Sequence, residues 1–121
     1  MATKKSSRSD CSPCHEGTPA LAEKEILSRL KKLKNWRYLK KRRVLRVDYR
    51  LKDFTSAVHH IQKIARIAEQ MGHHPDIHLT QYRHLAIEIS THSISAVSAG
   101  DFILAAEIEK IFSNANNIVR V

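Results

Sequence analysis

Apolar positions along this chain alternate between a spacing of three to four residues and a spacing of two. Ala22, Ile26, Leu30 and Leu33 share one helical face. Thr18 reads as an N-cap with Pro19 at the first helical position, which predicts a helix from about Pro19 to Lys34, closed by Asn35. Leu45, Val47 and Tyr49 then alternate with Arg46, Asp48 and Arg50, the period of a half-buried strand. The stretch from Arg37 to Lys40 is placed to pair with it as a hairpin. Asp53 is a suitable N-cap for a second helix carrying Phe54, Ala57, Val58, Ile61, Ile64, Ala65 and Ala68, with Gly72 as a left-handed stop. Ile77 and Leu79 suggest a strand, with Tyr82 near its end or in the turn. Leu85, Ile87 and Ile89 give another. Ser98 and Asp101 resemble a capping box that opens a last helix bearing Leu104, Ala105, Ile108, Ile111 and Phe112.

The predicted order is α-β-β-α-β-β-α. That order implies an α+β domain, a four-stranded antiparallel sheet with three helices packed on one face. Residues 1–17 are polar and aperiodic and read as a flexible N-terminal tail, leaving 18–121 as a single domain.

Composition narrows the class. The chain has 121 residues, long enough for a core without staples. No apolar run approaches the roughly 20 residues of a membrane span, and the first residues lack a secretory signal's apolar core. Two cysteines are too few for a disulfide scaffold, so a reducing, cytoplasmic home is expected, with the nucleus also open. Cys11-Ser12-Pro13-Cys14-His15 spells a haem-attachment string, but with no export signal and no evident distal ligand it reads as tail.

The formal charge of +9 is local. Residues 29–46 hold ten Lys and Arg and no carboxylate, whereas the segments on either side are close to neutral. Such a stripe suits phosphates or an acidic partner. Its simpler reading is a solvated face, with nucleic acid the weaker choice of partner.

Five of the eight histidines fall between positions 73 and 92: His73, His74, His78, His84 and His92. Pro75 biases His74 toward an extended backbone, so the side chains of His73 and His74 diverge. A hairpin between them brings His92 back beside His73. On spacing alone three readings stand: acid–base catalysis, a metal site, or polar loop histidines.

One pattern goes further. Glu69, three residues, His73-His74-Pro75, six residues, Tyr82, nine residues, His92, eight residues and Asp101 resembles the signature of the pterin-4a-carbinolamine dehydratases. Trp36 ahead of a basic strand, Thr91-His92, and Asp101-Phe102-Ile103-Leu104-Ala105 resemble family blocks as well. The likeness covers about Leu21 to Phe112. It departs at Ser95-Ala96-Val97-Ser98, where members usually carry a Gly-Leu pair, and at Ile77, where animal members carry an aromatic.

The resemblance implies loss of water from a 4a-hydroxytetrahydropterin to give the quinonoid dihydropterin, the recycling step that follows an aromatic amino acid hydroxylase. It implies His73, His74 and His92 as catalytic residues, with His73 and His92 as the acid–base pair and His74 orienting the pterin. It adds Glu69, Pro75 and Asp101 as substrate-binding residues. Glu69 is expected to fix a histidine tautomer or bond the ring, and Asp101 has a second reading as a helix-start carboxylate. Trp36 and Tyr82 are expected chiefly in the core. No redox change occurs, so no metal and no other cofactor is expected. The family also implies a homodimer or homotetramer, and Phe102 and Ile103, outside the last helix's main stripe, are candidates to face a partner copy. The alternative is a non-catalytic role on the same scaffold, as a dimerisation cofactor of transcription factors or an assembly factor.

Overall fold

A computed structural model describes residues 19–113 and 119–120. The tail with Cys11 and Cys14, and Thr18, lie outside the described residues. The chain forms α1 (Glu23–Leu30), β1 (Arg37–Leu39), β2 (Val44–Arg50), α2 (Phe54–Met71), β3 (Asp76–Thr80), β4 (His84–Ile89), α3 (Ala99–Ser113) and β5 (Val119–Arg120), with a 3-10 turn at His92–Ile94. The sheet runs β1-β2-β4-β3, antiparallel throughout. The α+β architecture and the element order are those expected from the sequence. β5 is an addition, pairing with β2 at Tyr49 and Arg50, beyond the residues that β1 covers.

The two faces of the sheet follow the alternation. Leu45, Val47 and Tyr49 of β2 and Leu85, Ile87 and Ile89 of β4 are fully buried. They form one core with Ile26 of α1, Ala57 and Ile64 of α2, and Leu104, Ile108 and Phe112 of α3. Phe112 stacks on Tyr49 at 3.9 Å between centroids. Glu109 ties α3 to the strands: it accepts from Tyr49 Oη at 2.5 Å, Asn35 Nδ2 at 2.9 Å and Trp36 Nε1 at 3.3 Å. Trp36 is buried, as expected.

The opposite face carries charge. Arg46 grips both oxygens of Asp48, Nε and Nη2 each at 2.9 Å, and reaches Glu88 at 2.7 Å with Nη1. Arg42 also bonds Glu88, Arg37 lies 3.2 Å from Asp48, and His84 Nε2 lies 2.8 Å from Asp48. Both carboxylates are buried beneath these cations. The Arg46 hydrogen bond, with His84 and the nearby arginine charges, outweighs burial and takes Asp48 from an ordinary 3.8 to about 2. Burial pushes Glu88 upward, but the bonds from Arg46 and Arg42 more than offset it, and its net shift is downward. Arg46 is raised by the Asp48 bond in turn. Lys40 pairs with Glu23, and Arg29 with Glu25. Five cations of the basic stripe are thus matched by the protein's own carboxylates.

Three local expectations are corrected. α1 begins at Glu23, not Pro19, because the Leu21 amide donates to the Val97 carbonyl at 2.9 Å and Ala22 is extended. It ends at Leu30, not Lys34: from there Lys31, Lys32 and Leu33 bond three residues back in tighter turns. Phe102 is buried beside the Arg29 guanidinium, 5.8 Å from its ring centroid, and only Ile103 of that pair is exposed. Tyr82 is not core: it is 60% exposed at the β3–β4 turn.

Candidate active site

The site starts at the end of α2. Gly72 adopts φ 64°, and two hydrogen bonds close the helix there, Gly72 N–H to Glu69 O at 3.3 Å and His73 N–H to Ala68 O at 3.2 Å. This is a Schellman closure, which needs a left-handed residue at Gly72 and reverses the chain just past the helix. The reversal sends His73 inward and His74 outward. His73 is 6% exposed. His74 stands at the surface, its Nε2 2.7 Å from Glu69 Oε2. Glu69 therefore serves His74, one of the two options the sequence left open for it. Pro75, half-buried, leads into β3.

The other wall comes from the loop after β4. β3 and β4 pair Asp76 with Glu88, so extending the register sets His73 opposite Thr91, with His92 the next residue. His73 and His92 thus lie at the same end of the sheet. Thr91 and Ala96 bond each other, N–H to O at 2.8 and 3.4 Å, which closes a small loop carrying the exposed His92 on its 3-10 turn.

Asp101 joins the two walls. It has no exposed surface. Oδ1 accepts from His73 Nε2 at 2.5 Å. Oδ2 accepts from the Ser98 amide at 2.7 Å and the Thr91 hydroxyl at 3.0 Å, and Thr91 and Ser98 hydroxyls lie 2.7 Å apart. Asp101 is thus both the first-turn carboxylate of α3 and the partner of His73. It reaches the site through His73, not at an open surface. No local sequence signal marks the Thr91 hydroxyl, and Ser98 reads from the sequence only as a cap. The Ser98-x-x-Asp101 pattern was the available signal, since it fixes where Asp101 points.

With Nε2 held by Asp101, the Nδ1 of His73 has no hydrogen-bond partner among the described residues. The arrangement offers a buried, oriented imidazole, a second imidazole at the surface on its own carboxylate, and a third on a closed loop. That is a set for moving protons. Among the described residues no three His, Cys, Asp or Glu side chains gather as a metal-ligand set. Tyr82 is not brought to the site: β4 separates it by about five residue steps, roughly 17 Å. His78 is exposed on β3, and His84 is committed to Asp48. No helix among the described residues is long and apolar enough to cross a membrane.

Comparison with known proteins points to one family. Residues 19–111 match the family model described as pterin 4 alpha carbinolamine dehydratase. The Arabidopsis thaliana protein named "Pterin-4-alpha-carbinolamine dehydratase 2, mitochondrial" is 36% identical over 104 residues, covering 84% of this chain and 56% of that protein's length. A Nitrosospira multiformis protein given the same family name is 33% identical over 102 residues, 84% of this chain and 88% of its own. Among solved structures, the transcriptional coactivator/pterin dehydratase of Brucella melitensis superposes with a TM-score of 0.72 at 27% identity, covering 77% of this chain and 98% of that one.

Proposed function

Since the chain belongs to the pterin-4-alpha-carbinolamine dehydratase family, we propose that it removes water from a 4a-hydroxytetrahydropterin by histidine acid–base catalysis. The observation that carries this reading is the buried His73–Asp101 pair, with Thr91 and Ser98 holding the carboxylate from behind.

In the proposed reaction the C4a–O bond breaks and the hydroxyl leaves as water once it has gained a proton. N5 loses its proton, and the N–H electron pair becomes the N5–C4a double bond of the quinonoid dihydropterin. One proton is given and one is taken, with no change of oxidation state, so the pair of groups resets itself. His73 and His92 form that pair. Asp101 accepts the Nε2–H of His73, which leaves Nδ1 as the nitrogen that meets the substrate, and its negative charge stabilises the ring when it takes a proton. His74, oriented by Glu69, binds the pterin at the mouth, and Pro75 shapes the wall beside it. The enzyme that supplies the substrate is one that hydroxylates pterin at C4a, as an aromatic amino acid hydroxylase does. The same proposal includes assembly as a homodimer or homotetramer, with exposed Leu27 and Ile103 on the helices as contacts.

A coactivator role is the second reading, supported by the name of the Brucella relative. It adds to the first, because a pure docking module has no need of a buried His–Asp pair. The test is the dehydration of synthetic 4a-hydroxytetrahydropterin followed by absorbance. The wild type is expected to accelerate it, and His73→Ala and His92→Ala each to lose about 10²–10⁴-fold while remaining folded. A folded wild type that gives no acceleration refutes the enzyme and leaves the coactivator reading.

A further inference from the structure

The end of the sheet away from His73 carries a second concentration of chemistry that the dehydration does not use. Gln81, Tyr82 and Arg83 link β3 to β4, and the first two have positive φ, 49° and 55°. Two consecutive left-handed residues in this three-residue loop are a backbone that glycine and asparagine adopt most readily. A tyrosine there is a genuine outlier, held at a backbone cost that glycine would avoid. Burial does not repay that cost, because the ring is largely exposed.

The surroundings suggest what the ring is kept for. Arg50, Gln81, Tyr82, Arg83 and His84 line a cavity of about 270 Å³. The Arg83 guanidinium lies 5.7 Å from the centroid of the Tyr82 ring. Leu51 N–H donates to Arg83 O at 2.9 Å and anchors the turn to the end of β2, and Arg50 stands directly across from His84 in the register. Arg37, Arg42 and Arg46, on β1, β2 and the turn between them, are all matched by Asp48 or Glu88. Arg50 and Arg83 have no carboxylate partner among the described residues. His84, tethered through Nε2 to Asp48, also lines the cavity. Two unmatched guanidinium groups at one cavity favour a compact anion with several acceptor oxygens, and an open aromatic face favours a planar ring.

We propose that this cavity is a binding site for a small aromatic phosphate monoester, its phosphate between Arg50 and Arg83 and its ring on Tyr82. The volume suits a single aromatic base with one phosphate, such as a nucleoside monophosphate, rather than an extended cofactor. The proposal does not depend on the dehydratase reading, since it uses none of the residues assigned to that reaction.

Adenosine monophosphate, inorganic phosphate and adenosine serve as probes, titrated into the full chain by calorimetry and by amide NMR shifts. The monophosphate is expected to move the amides of residues 81–84 and to bind about tenfold more tightly than phosphate or adenosine alone. Replacing Arg50→Gln and Arg83→Gln together should weaken it by about tenfold or more. Tyr82→Gly is the decisive variant. It should raise Tm by releasing the positive φ, yet reduce affinity for the monophosphate to that for inorganic phosphate. All three substitutions should leave the dehydration rate unchanged. No shifts with millimolar monophosphate, equal affinity for adenosine, or full affinity in the double arginine variant would each overturn the proposal.

Discussion

A carboxylate with no exposed surface must find donors for both its oxygens, and Asp101 finds three, on β4's exit loop, at the start of α3 and on His73. This makes it a positioning residue. Asp101→Asn keeps the shape but replaces one acceptor oxygen with an N–H donor, which sets the amide against either the His73 ring or the Ser98 amide. Turnover is expected to fall by about 10²-fold or more with KM nearly unchanged, since Asp101 has no exposed surface and is read as acting through His73. Steady-state kinetics on folded protein checks this, and a loss confined to KM would contradict it. That His73 and His92 come to one end of the sheet was legible in the sequence, because the Gly72 stop and the strand alternation are local signals. The division of labour between neighbours was not. Whether Glu69 served His73 or His74 depended on the turn of backbone at Gly72, and Asp101's two readings proved to be one residue using two oxygens.

At the scale of elements, caps decide where the histidines stand. Asp53 closes the front of α2 through its bond from the Ser56 amide, at 2.8 Å, and Gly72 closes the back. Nothing lies within 4 Å of a Cβ built on Gly72, so an alanine there meets no clash and suffers only from the left-handed backbone. Gly72→Ala is expected to cost about 1 kcal/mol, a fall in Tm of about 4 °C by thermal melting; an unchanged Tm would mean the turn had found another conformation. Elements with strong local signals, such as α2 and the β3–β4 hairpin, were readable from the pattern alone. Those fixed by long-range bonds were not. The start of α1 yields to the Leu21–Val97 bond, which no window of sequence contains, and the two residues of β5 are strand only because the edge of β2 is there to receive them.

At the scale of the molecule, the basic stripe becomes a question of pH. Its charge left a solvated face as the simpler reading and a surface for polyanions as the weaker one, and Arg37, Arg42 and Arg46 are folded over Asp48 and Glu88 on the open face of the sheet. Those contacts form only when the strands pair, so their energy belongs to the folded state. Asp48 is held at about 2 against an ordinary 3.8. A carboxyl lowered on folding stabilises the native state fully above its ordinary value, and that contribution disappears as pH falls from about 4 through about 2. The depression corresponds to about 2 kcal/mol at neutral pH. Glu88 shifts in the same direction and loses its contribution in acid too. Asp48→Asn should therefore destabilise the protein by about 2 kcal/mol at neutral pH, while below about pH 2 the variant and the wild type should unfold at the same denaturant concentration. Urea melts of both proteins between neutral pH and the acid limit measure this directly. A gap that stays constant across that range would mean Asp48 contributes by shape and hydrogen bonding alone, and that the arginines above it are held by Glu88 without its charge.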